Sequence, residues 1–168
     1  MEGDIMKNKF IVRKMFILLI LSITVFTAAC TQSGEVDKVG AYTTVIDKLY
    51  EEDSALNSNI KYIAIDTSLI VNLNDEEKAE LLKELENYGF TVLDMTIEEL
   101  KEKGYVKDLY FEEGILFEIE DEPIKRNSII MDISKWRSGL GAIGYDGTVV
   151  KYKNGKWEIE KQGNAWIS

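Results

Sequence analysis

Asn154-Gly155 constrains the fold of this chain more than any other feature. The pair lies between two segments, 148–153 and 156–161, both rich in strand-forming residues. Asn-Gly in that setting makes a two-residue type I′ turn. Both central residues there take positive φ, and the turn's twist matches that of the flanking strands. The loop length fixes a register. Lys153 faces Lys156, Tyr152 faces Trp157 and Val150 faces Ile159, while Lys151 faces Glu158. Tyr152, Trp157, Val150 and Ile159 then share an apolar face, and Lys151 with Glu158 forms a charge pair on the other. Each such pair contributes roughly 0.2–1 kcal/mol.

Strand patterns extend upstream of this hairpin. Residues 115–120 alternate, the turn Asp121-Glu122-Pro123 follows, and residues 128–133 run on toward Trp136. The first half reads differently. Val39, Tyr42, Ile46 and Leu49 recur at helical spacing and predict a helix over 36–52. A loop over 54–59 leads to a strand at 60–65. Asn74 and Glu77 form a capping box for a helix with the stripe Leu81, Leu82, Leu85 and Tyr88, closed by Gly89. A short strand at 90–93 precedes a second capping box, Thr96 with Glu99, and a short helix ending at Gly104. The order predicts an α+β fold, with N-terminal helices packed on a curved, mainly antiparallel sheet built from the C-terminal half.

The first 30 residues carry a different message. Residues 15–29 are uncharged and predominantly apolar, and Lys7, Lys9, Arg13 and Lys14 precede them. Fifteen residues fall short of the roughly 20 that a spanning helix needs. They fit the apolar region of a secretory signal, with Met6 as an alternative start. An ordinary cleaved signal and an uncleaved anchor are the other readings. Thr27-Ala28-Ala29-Cys30 resembles the lipobox of bacterial lipoproteins, and Cys30 is the only cysteine in the chain. The resemblance implies diacylation of the Cys30 thiol and cleavage before it. Thr27 stands where the family usually has Leu. Two acyl chains give stable anchoring where one does not. The expected organisation is a signal peptide at 1–29, a lipidated cysteine and tether at 30–37, and a single domain at 38–168.

Residues 1–29 hold four of the chain's 20 basic side chains and two of its 30 acidic ones, so the remainder carries a net charge of −12. That charge excludes nucleic acid as a partner, since such binding runs on Lys and Arg at phosphates. It also disfavours adhesion to an anionic bilayer. The expected contact with the membrane is therefore through lipid on Cys30, at the extracytoplasmic face. The chain has no His. A Ser-His-Asp or Cys-His centre and a Cys/His zinc site are thereby excluded, and neither cofactor nor metal is expected.

Four groups of residues invite a chemical reading. Gly139, Gly141 and Gly144 match G-x-G-x-x-G, but a dinucleotide site needs a helix after the motif, and here a strand follows. The glycines instead predict a bulge or bend. Glu118, Glu120, Asp121 and Glu122 lack the spacing of a calcium loop and read as the solvated face of a strand. A carboxylate pair could do acid–base work, but the sequence singles none out; Asp66, beside Thr67 and Ser68, is the nearest candidate, and a strand-end turn is its plainer role. Trp136, Trp157 and Trp166, with Tyr145 and Tyr152, either fill the core or line a cleft.

The helical part followed by a meander with Asn-Gly-Lys-Trp in its last hairpin resembles small NTF2-like domains, found in lipoproteins of low-GC Gram-positive bacteria. That family includes enzymes and non-catalytic binding modules. The expectation is a non-enzymatic module binding a protein or small ligand through its sheet, with no catalytic residue assigned. The alternative is a carboxylate-based cell-envelope enzyme with an NTF2-like cavity.

Overall fold

The computed structural model describes residues 36–168. Cys30, the signal segment and the start of the tether lie outside the described residues. Helix α1 (Val39–Glu51) buries Val39, Tyr42, Val45, Ile46 and Leu49, the stripe expected from their spacing. A short 3-10 turn, Ser54–Asn57, leads to strand β1 (Tyr62–Asp66). Helix α2 (Asp75–Leu85) opens with a complete capping box. The Glu77 N–H donates to Asn74 Oδ1 at 2.9 Å, and the Asn74 N–H donates to Glu77 Oε2 at 2.8 Å. After Gly89, at φ +84°, comes β2 (Thr91–Asp94). Helix α3 (Ile97–Glu102) is capped by Thr96 and Glu99 in the same way.

Five more strands follow: β3 (Gly114–Asp121), β4 (Ser128–Ser138), β5 (Gly141–Lys153), β6 (Lys156–Lys161) and β7 (Asn164–Ile167). The fold is α+β, and the sheet is open, seven-stranded and mostly antiparallel. Its order is β2-β1-β3-β4-β5-β6, with β7 also on β5. Strands β6 and β7 lie end to end along one side of β5, since β6 pairs with residues 149–153 and β7 with 143–146.

Two expectations are corrected. The sheet is not built from the C-terminal half alone: β1 pairs in parallel with both β2 and β3. Parallel neighbours need a long crossover, and α2 supplies it between β1 and β2. The hairpin register appears as read, with Tyr152 opposite Trp157 and their rings 5.4 Å apart at 60°. Its charge pairs differ, because Lys151 reaches diagonally to Glu160 at 3.0 Å and Glu158 pairs with Lys156.

Alternation sorts the strand residues onto two faces. Ile63, Ile65, Ile115, Phe117, Ile119 and Ile133 are buried on the α1 side. Lys135 and Arg137 share that side and are also buried. The Lys135 ammonium donates to the carbonyls of Glu52 and Asp53 and to Asn57 Oδ1, just past the end of α1. Arg137 Nη1 donates to the carbonyls of Leu56 and Ser58, and Nη2 to that of Glu112. The two cations thus bind the backbone joining α1 to β1, where carbonyls would otherwise lack donors.

On the opposite face, Ala64 and Leu116 pack with Leu100, Val106 and Phe111 of α3 and the segment after it, and Trp136 lies against them. This cover stops partway along the sheet. Glu120, Ile130 and Asp132 lie beyond it and are exposed.

Candidate functional site

The uncovered part of that second face forms a hollow of ≈ 230 Å³. Strand register assembles its floor. Glu118 stands opposite Ser134, and Glu120 opposite Asp132, across β3 and β4. Asp132 falls at a break in register between β4 and β5. There Gly147, at φ +75°, donates its N–H to Asp132 Oδ1 at 2.6 Å. The bulge thereby brings Asp146 to the same hollow.

Ile133, Trp166 and Leu69 complete the lining. Trp166 lies directly over Gly144, and a Cβ built on Gly144 would sit 2.4 Å from the indole Cε2 and Cζ2. No side chain fits that space, so the glycine is what admits the ring. The indole Nε1 donates to Asp146 Oδ1 at 3.0 Å. Four carboxylates and one half-exposed indole therefore face the hollow from rigid strands.

Their charges are uncompensated. Among the described residues, no Lys or Arg forms an ion pair with Glu118, Glu120, Asp132 or Asp146. Burial raises the Glu118 pKa above the ordinary carboxylate value, and the negative charges of Asp66 and Glu98 add to that effect. The Ser134 hydroxyl, at 3.4 Å, opposes it. Such a surface attracts cations, and the indole adds a π face that also favours them.

The other residues singled out by sequence take structural places. Gly139 lies in the turn between β4 and β5, donating its N–H to the Leu109 carbonyl at 3.0 Å. Gly141 begins β5, which continues as strand through Gly144, so no helix N-terminus faces a phosphate. The acidic run divides between the faces. Asp121 is buried on the α1 side, accepting from the Tyr42 hydroxyl at 2.5 Å and the Val71 N–H at 2.7 Å. It also accepts from the backbone and side-chain amides of Asn72. Glu122 pairs with Lys125 at 3.1 Å. Asp66 is buried, and its Oδ1 accepts from the N–H and hydroxyl of Ser68 at 2.9 and 2.5 Å, the turn role. Register also sets it beside Glu118.

The aromatic residues separate likewise. Trp157 is buried and donates Nε1 to the Asp37 carbonyl at 2.5 Å. Tyr145 is buried on the α1 side and bonds Glu52. Trp166 alone of the five joins the hollow. Sequence reading did not single out Asp132, Ser134, Asp146 or Leu69. Alternation with Ile133 could have placed Asp132 and Ser134 on this face, whereas Asp146 depends on a bulge and Leu69 on a loop.

Two larger hollows exist among the described residues. One, of ≈ 550 Å³, lies between α1 and α2 and is lined by Asp37, Asp47, Glu80, Glu84 and Tyr88 among others. Its Asp47 already accepts from the Tyr88 hydroxyl. The other, of ≈ 430 Å³, adjoins Tyr62, Tyr105 and Phe111, whose rings pack mainly on one another. No group of acidic residues among the described ones has the geometry to hold a metal ion. No helix among them is long and apolar enough to cross a membrane.

No family model matches the chain, and comparison with curated proteins and with solved structures finds no match. The geometry of the sheet face is therefore the ground for a functional reading.

Proposed function

We propose that this chain is a lipid-anchored protein of the extracytoplasmic membrane face, and that its mature domain is a non-enzymatic binding module. Lipid on Cys30 holds it at the cell membrane, and helices back a curved sheet whose uncovered face meets the partner. The observation that carries the binding reading is the hollow over β3, β4 and β5, with its uncompensated carboxylates beside Trp166. Breaks in register within β4–β5 support curvature, because bulges bend and twist the strands that contain them. The basic and apolar segment ending in Ala28-Ala29-Cys30 supports the anchor.

Mass spectrometry of the membrane-extracted protein tests the anchor. A diacylated N-terminus at Cys30 is expected, lost in Cys30→Ser. An intact Met1 or Met6 on the native chain would sink it. A photo-crosslinker at Ile130, compared with one at Lys83 on α2, tests the face. Crosslinks to one partner from Ile130 alone are expected, and equal capture from both positions would overturn the reading.

A second reading, a carboxylate-based envelope enzyme with an NTF2-like cavity, draws support from Glu118. Its proton is held more tightly than usual, because burial and then the neighbouring charge of Asp66 disfavour the ionised form. Retained partner crosslinking in Glu118→Gln separates binding from chemistry.

A further inference from the structure

We propose, resting on the open-face reading above, that the partner presents an extended segment carrying lysine or arginine. This segment adds as a strand to the free edge of β7 and directs a cationic side chain past Trp166 into the acidic hollow. Two independent features meet at this place.

The first is an unpaired sheet edge. Ser168 and Ala142 exchange backbone hydrogen bonds, at 3.1 and 3.4 Å. Gly144 with Trp166 and Asp146 with Asn164 keep that register. In an antiparallel ladder the alternate residues point their backbone groups the other way. The N–H and C=O groups of Ala165 and Ile167 therefore face away from β5. Among the described residues no strand pairs with that edge, and all four residues of β7 are exposed. A row of free donors and acceptors is a template for strand addition.

The second feature is charge. The occupant must match carboxylates that no Lys or Arg pairs with among the described residues, which selects Lys or Arg. The hollow, at ≈ 230 Å³, is smaller than the roughly 300–1,000 Å³ usual for a drug-sized ligand. It suits a side chain. Neighbouring strands lie about 4.8 Å apart, so an added strand runs about 10 Å from β5. A Lys or Arg stem and the Asp146 side chain together span that gap. A second copy pairing through β7 would bring Asn164, Ala165, Trp166 and Ile167, none of them cationic, and would leave the acids unmatched.

The test uses the full chain and three probes: a short peptide alternating lysine with valine, its glutamate-for-lysine counterpart, and spermine. The tryptophan fluorescence change that is lost in Trp166→Phe reports binding beside that ring, and amide hydrogen exchange at Ala165 and Ile167 reports strand pairing. The lysine peptide is expected to bind, to slow both amides and to weaken with salt. The glutamate peptide is expected not to bind. Asp132→Asn combined with Asp146→Asn is expected to weaken binding about tenfold, equivalent to about 1.4 kcal/mol. Glu120→Gln, on β3 two strands beyond β5 and acting only through the field of the hollow, is expected to weaken binding less than the double variant and to leave the urea midpoint unaltered.

Lysine-peptide binding that leaves the Ala165 and Ile167 amides unprotected would overturn strand addition, as would equal binding by spermine. Undiminished binding in both carboxylate variants would overturn the acidic hollow as the recognition element. Protection of those amides in the free chain at high concentration would assign the edge to a second copy. Ile130 crosslinks in membranes with no lysine-peptide binding would sink this inference and leave the open-face reading standing. Loss of both would sink both.

Discussion

Replacing Asp121 by alanine tests how the structure divides the acidic run. Asp121 accepts from Tyr42, Val71 and Asn72, joining α1 and the loop after β1 to the end of β3. Tyr42 is fully buried, and burial with the Asp121 bond raises its hydroxyl pKa far above the ordinary value. Leaving that buried hydroxyl without an acceptor costs about 1–3 kcal/mol. The Val71 and Asn72 donors are only partly buried. Water replaces some of what they lose, so each adds about 0.5 kcal/mol. Asp121→Ala is therefore expected to destabilise by about 2–4 kcal/mol, against a typical total of about 5–15. Urea unfolding followed by tryptophan fluorescence should show the midpoint falling by about 1–2 M. Glu120→Ala, one residue away on the other face, should cost no more than about 0.5 kcal/mol. Tyr42→Phe should recover part of the Asp121→Ala loss in a double-mutant cycle, with a coupling of about 1 kcal/mol. Equal midpoints for Asp121→Ala and Glu120→Ala would refute the reasoning.

Glu118→Gln should stabilise the chain at neutral pH but not in acid. Its folded pKa is raised, so its contribution is present below the unfolded pKa and is lost as pH rises through the folded one. Stability of wild type and variant against pH checks the sign. Lys135 has the opposite dependence: burial lowers its pKa from the ordinary 10.5 to about 8. Between these values the unfolded chain binds more protons, so stability relative to Lys135→Met should rise with pH from about 8 to 10.5. A flat difference would contradict that assignment. Gly155→Ala should cost about 1 kcal/mol through backbone strain alone, because Gly155 has φ +85° and open space around its Cβ position. Thermal unfolding of that variant measures it.

Local signals carried the secondary structure well, for a physical reason. Both capping boxes and the Asn154-Gly155 turn close their hydrogen bonds within four residues, so neighbours in sequence determine them. Strand β7 escaped notice because Asn164–Ile167 is four residues long and exposed throughout, with no alternation to read. The β4 cations were legible in principle. Ile129, Met131, Ile133, Lys135 and Arg137 share one face by period two. Yet nothing local shows that carbonyls from residues 52 to 58 will meet those two charges there. The site was legible only in fragments. Glu118 and Glu120 could be placed together, but their neighbours Asp132, Asp146 and Trp166 come from three other strands.

By itself the sequence determined the class of fold, the helix starts, the last hairpin with its register, and a strongly acidic stretch after a basic and apolar N-terminal segment. These follow from periodicity, caps and charge, which act over a few residues or over the whole composition. Tertiary structure decided the parallel placement of β1 and β2, the burial of Asp121 and the exposure of Trp166. It also decided which carboxylates gather on the open face. Those outcomes depend on pairing between segments far apart in the chain, where one bulge at Asp146-Gly147 or one glycine under an indole redirects a side chain.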